Sequence, residues 1–148
     1  MATAHDYFKR CVALCEREGF EEIAASNIHM VGWTAIYLNR PDQAQASARA
    51  GVALSQRLSA HRPHILSETL TGYVAVERGR NEEGRAALER ALALSQRAGA
   101  SSFDAQAAAM VARQAWFAGD GETVRKYAER SIAAQRVSAM PFFGPYCL

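Results

Sequence analysis

Arg49–Arg57 reads RAGVALSQR, forty residues later Glu89–Arg97 reads ERALALSQR, and forty beyond that Glu129–Val137 reads ERSIAAQRV. The recurrence spreads outward from these nine residues in both directions. Asn39, Gly79 and Gly119 hold one position of the period, Gly32, Gly72 and Ala112 a second, and Ala35, Ala75 and Ala115 a third. Between these marks apolar residues return at three- and four-residue spacing, and no stretch alternates as a strand does, so each period holds two helices. A helix pair repeated at a fixed interval cannot bury its apolar face alone and must stack on its neighbours. The expected fold is all-α, an antiparallel helix-pair solenoid of about seven helices.

Glycine, proline and asparagine place the elements. A first helix is expected from about His5 to Glu18, closed by Gly19. A second covers about Glu21 to Leu38, and a third starts at Pro41, whose ring suits a first helical position. The turn His61-Arg62-Pro63 leads into a fourth over about Pro63–Glu77. Asn81 is placed as the cap of a fifth, with Glu82 and Glu83 in its first turn beside the positive end of the dipole. The sixth runs from about Ser102 to Ala118. After Gly119-Asp120-Gly121 the seventh covers about Glu122 to Ser138. On the forty-residue overlay Phe8, Val12, Leu14 and Cys15 match Ala48, Val52, Leu54 and Ser55, so the first helix reads as the second half of a preceding unit. A single domain results, with a half unit (5–19), three units (21–59, 63–99 and 102–138) and an aromatic stub (140–148). The stub reads MPFFGPYCL, which is not the polar cap that repeat arrays use. It implies either a piece of a longer protein or a homo-oligomer joined through uncapped ends, with Phe142, Phe143 and Tyr146 as the contact residues.

Composition narrows the function. Of 148 residues 49% are hydrophobic and 22% charged, which excludes a disordered chain. A net charge of +2 with the arginines dispersed among acids gives no footprint for nucleic acid. No apolar run approaches the ~18–20 residues of a membrane span, and the start MATAHD lacks the basic-then-apolar order of a signal peptide, so a cytoplasmic protein without membrane contact is expected. Cys11 and Cys15 lie one turn apart and read as core thiols, and Cys147 is nearly terminal. The chain carries no phosphate loop, no His-Glu-x2-His and no Gly-x-Ser-x-Gly elbow, so neither catalysis, cofactor nor metal is expected. Gly119-Asp120-Gly121-Glu122 reads as an inter-helix turn with a capping Asp rather than a calcium loop. His61 and His64 read as residues of a solvated loop.

The small residues Gly32 and Ala44, then Gly72, Gly84, Ala91 and Leu92, paired with the turns of the period, resemble the tetratricopeptide family over roughly residues 5–139. The period of forty exceeds that family's, which is about thirty-four. With Asn27–Leu38 (NIHMVGWTAIYL), Gly79–Ala98 and Phe143-Gly144-Pro145, the chain is similar to the divergent repeat tails of large bacterial signalling proteins. In those proteins an adenylate cyclase-like or DNA-binding output module accompanies a signalling ATPase module. The resemblance implies a non-catalytic interaction or regulatory module whose first helices line a concave groove for a peptide or helix. The residues it places there are Ser26, His29, Trp33, Ile36 and Tyr37; Leu66, Thr69, Tyr73, Val76 and Glu77; and Gln106, Ala109, Arg113, Trp116 and Phe117. Trp33, Tyr73 and Arg113 share one position of the period and are expected to form a ladder, of residue types common at binding hot spots. Burial of these aromatics between helices is the competing expectation. So is a groove that senses a small molecule and controls an output domain. The lysine, asparagine and arginine clamp that grips a C-terminal carboxylate in related co-chaperones is absent, since those positions hold His29, Met30, Trp33, Thr69, Leu70 and Tyr73.

Overall fold

The computed structural model describes residues 2–138, and all regular structure in that span is helical. The elements are α1 (Ala2–Arg17), α2 (Glu21–Tyr37), α3 (Pro41–Arg57), α4 (His61–Glu77), α5 (Asn81–Arg97), α6 (Ser101–Phe117) and α7 (Gly121–Ser138). No helix among the described residues is long and apolar enough to cross a membrane. Phe142, Phe143 and Tyr146 lie outside the described residues.

One turn, used six times, sets these boundaries. Gly19, Gly79, Gly99 and Gly119 take positive φ, as do Asn39 and Ser59. The residue that follows each of them donates its amide back five positions, to Cys15, Ala35, Ser55, Ala75, Ser95 or Ala115. This is the C-terminal closure in which a left-handed residue lets orphan carbonyls find partners. The six acceptors are small and buried, because the returning chain packs directly over them. The same residue that closes one helix also opens the next, which leaves no room for a separate cap. Asn81 is therefore the first residue of α5 and not its cap, and the flanking Arg80 makes no side-chain cap bond. For the same reason His61 and Arg62 belong to the first turn of α4, not to a loop. At the last turn Asp120 does cap, since the Thr123 amide donates to its Oδ1 over 3.1 Å. The Thr123 side chain, and then its amide, hold the Asp120 carboxyl below its usual range.

Each helix packs on its chain neighbours, and α2 also touches α4 while α4 touches α6. The core is divided accordingly. One cluster joins Ile65, Leu88, Ala91 and Leu92 to Ala107–Val111, a second gathers Ala35, Ala44, Ala48, Leu70 and Val74, and a third gathers Val12, Cys15 and Ala24. Cys15 is buried and Cys11 half-buried, both as free thiols, and burial with the neighbouring Cys11 pushes the Cys15 thiol up. Glycines set the closest helix approach. A Cβ built on Gly84 would stand 2.9 Å from the Gly72 carbonyl oxygen, so α4 and α5 meet backbone to backbone.

Candidate functional site

Because α2, α4 and α6 lie side by side, residues forty apart on them can touch. Trp33 and Tyr73 do so, with ring centroids 4.9 Å apart and planes tilted by 60°. Next to Tyr73 the Arg113 guanidinium lies 4.7 Å from that ring's centroid and 4.7 Å from the Phe117 ring's. Its Nη2 donates to Glu77 Oε1 over 2.5 Å. Cation–ring contacts of this length contribute roughly 0.5–1 kcal/mol each at exposed sites. Two of them plus the ion pair fix Arg113 in place while leaving it partly in solvent. The row Trp33–Tyr73–Arg113–Phe117 is thus continuous across three helices.

The period also sorts these faces by depth. Residues 33, 73 and 113 are half-buried, and Trp33 and Tyr73 pack partly against the core cluster of α4–α6. Residues 37, 77 and 117 are exposed. Tyr37, Trp116 and Phe117 stand 61%, 75% and 70% exposed, which makes them the accessible aromatics at the C-terminal ends of α2 and α6. Residues 29, 69 and 109 are buried, His29 and Thr69 among those expected in the groove. That position of the period faces the helix packing. Thr69 is 1% exposed, and its hydroxyl donates to the Ile65 carbonyl within α4. Leu66, Gln106 and Ala109 are buried as well.

No protein-family model and no curated protein matches this chain. Function is therefore read from the site itself. Two cavities have no residue of the ladder in their walls. One of about 300 Å³ lies between the starts of α2 and α4, lined by Glu22, Ser26, His61 and Arg62. The other, about 190 Å³, is lined by Arg85, Glu89, Gln114, Lys126 and Tyr127. Enclosed ligand sites typically span ~300–1,000 Å³.

Charge pairs that single residues do not reveal join α4 to α5 and α6 to α7. Arg90 Nε and Nη2 donate to Glu68 Oε1 and Oε2 over 3.0 and 2.9 Å, and Arg130 grips Asp104 in the same two-point fashion. Glu68 is buried, and His64 Nε2 lies 3.7 Å from its Oε1. His64 is thus a packed helix residue rather than a loop residue. Burial lowers its pKa, while Glu68 opposes that shift. Arg90 and Arg130 are forty residues apart, a signal present in the sequence, but their acids lie 22 and 26 residues upstream, which only the helix packing explains.

His29 gives the fold a pH signature. It is 8% exposed, its Nδ1 is buried without a hydrogen-bond partner, and burial with the Arg62 charge lowers its pKa to about 4. Below its ordinary value of 6.5 the unfolded chain takes up this proton before the folded one does. Stability present above pH 6.5 is therefore lost progressively as the pH falls towards 4. The loss is on the order of 3 kcal/mol. Urea titrations across that window are expected to show this slope in the wild type and a flatter one in His29→Leu.

Proposed function

We propose that this chain is a tetratricopeptide-like solenoid module that binds a protein partner, presented as a helix or extended peptide, along the face formed by α2, α4 and α6. It does so without catalysis. The observation that carries the reading is the continuous row Trp33–Tyr73–Arg113–Phe117, flanked by the exposed Trp116 and Tyr37. Aromatic residues and a pre-set arginine are the types that dominate binding hot spots, because they offer large contact area at low ordering cost. Glu77 neutralises Arg113, so the face suits an apolar anchor better than an acidic tail. The resemblance of the sequence extends the proposal to a regulatory scaffold role in the cytoplasm, within a larger bacterial signalling protein.

Trp33 and Tyr73 also pack against the core, so the cleaner test uses the outer residues. The wild type and an Arg113→Gln/Trp116→Ser/Phe117→Ser variant are immobilised, after circular dichroism shows equal helicity, and exposed to a lysate of the source organism. A protein held by the wild type and weakened roughly tenfold or more by the variant is expected. Equal retention by both removes this face as the binding site. A small molecule that co-purifies with the wild type alone would replace the peptide reading with a sensor.

A further inference from the structure

Every helix from α2 to α7 except α4 carries an acid in its first turn, where the dipole favours one. α4 opens instead on His61 and Arg62, which sets basic side chains at the positive end of a helix. Ala60 before them provides no side-chain cap, and the amides of His61 and Arg62 are among those a helix start leaves without an internal partner. The Arg62 charge is not neutralised within the fold. Its guanidinium lies over the Phe103 ring, 5.4 Å from the centroid, and joins no ion pair among the described residues. Of the acids on α2 and α4, Glu21 is held by Arg57, Glu68 by Arg90 and Glu77 by Arg113.

The remaining acid, Glu22, lines the same cavity of about 300 Å³ as His61 and Arg62, together with Ser26 and the apolar Leu58 and Pro63. Glu22 and Arg62 are forty residues apart and hold one position of the period on neighbouring helices, yet they do not pair with each other. His29, one turn on from Ser26 and within reach of the Arg62 charge, is buried with its Nδ1 unpartnered. The walls thus hold an unpaired carboxylate, an unpaired guanidinium and a hydroxyl beside an apolar patch. A simple anion would be repelled by Glu22 and a simple cation by Arg62, so the lining selects a ligand that carries both charges. The volume is that of about ten waters, at ~30 Å³ each, which sets the size of such a ligand near ten heavy atoms.

We propose that the cavity between the starts of α2 and α4 binds a free α-amino acid. Its carboxylate meets the Arg62 guanidinium and the first amides of α4, its ammonium meets Glu22 and Ser26 Oγ, and its side chain rests against Leu58 and Pro63. A planar guanidinium can grip both carboxylate oxygens, and hydrogen bonds between charged partners are the strong ones. The site shares no residue with the row Trp33–Tyr73–Arg113–Phe117 and does not depend on the binding role of that face.

Thermal unfolding is followed in the presence of each of the twenty L-amino acids in turn. At least one is expected to raise the midpoint by about 3–6 °C at tenfold above its dissociation constant. Its N-acetyl and amide derivatives, which each lack one charge, are expected to bind ~tenfold more weakly or worse. The same loss is expected for Glu22→Gln and Arg62→Gln, whose own midpoints should stay close to the wild type because both residues are exposed. No shift with any amino acid overturns the proposal. So does an N-acetyl derivative that binds as tightly as its parent, since the cavity would then take simple anions. Undiminished binding by both variants also overturns it, by placing the ligand elsewhere.

Discussion

Gly72→Val is expected to destabilise the protein by ~4 kcal/mol, beyond the usual range for an overfilled core. A Cβ at Gly72 would stand 2.5 Å from Leu88 Cγ and 2.9 Å from the Gly84 carbonyl oxygen. Leu88 is fully buried and has no free space to turn into, and a backbone oxygen cannot move unless α4 and α5 separate. Valine adds two further methyl groups beyond that Cβ. Even Gly72→Ala should lose stability, although alanine in a helix ordinarily gains ~1 kcal/mol over glycine. Thermal unfolding tests both: at this chain length each kcal/mol moves the midpoint by about 2–4 °C. A Gly72→Val midpoint within a degree of wild type would mean that the two helices do not meet at this glycine pair.

Arg90→Leu is expected to cost about 3 kcal/mol, at the low end for a broken buried pair because the arginine itself remains half in water. The cost arises at Glu68, whose carboxylate is buried and loses both of its Arg90 hydrogen bonds. A companion variant isolates that cause. Arg90→Leu/Glu68→Leu removes the stranded charge along with its partner and is expected to recover most of the loss, as apolar replacements of buried pairs do. Urea titrations of the two single variants and the double variant complete a mutant cycle. If the double variant is as unstable as Arg90→Leu, the arginine matters for its packing along α5 and not for neutralising Glu68.

The helix order was legible from sequence because punctuation and periodicity are local. Gly19, Asn39, Gly79, Gly99 and Gly119 mark turns that need a left-handed residue, and the helices end beside them. Ser59 takes the same conformation without looking like a breaker, so α4 starts at His61, two residues before the Pro63 that the sequence suggests. Depth was harder to read. His29 and Thr69 look suited to a groove by residue type, yet their position of the period turns into the helix packing, and only the angle between helices decides that. The pairings between helices left a trace that residue-by-residue reading passes over. Arg57 with Glu21, Arg78 with Asp42 and Arg113 with Glu77 each join residues thirty-six apart, one helical turn short of the period.

The contact pattern also bears on how the chain acquires its structure. Among the described residues every contact between helices joins elements no more than two apart in the chain. Short-range closure costs little entropy, and chains dominated by it belong to the fast-folding end of the kinetic spectrum, reaching the native state in microseconds to milliseconds. A ribosome releases ~5–20 residues per second. Docking of each new helix onto those before it is fast compared with its synthesis, so assembly keeps pace with translation once enough helices have emerged to stack.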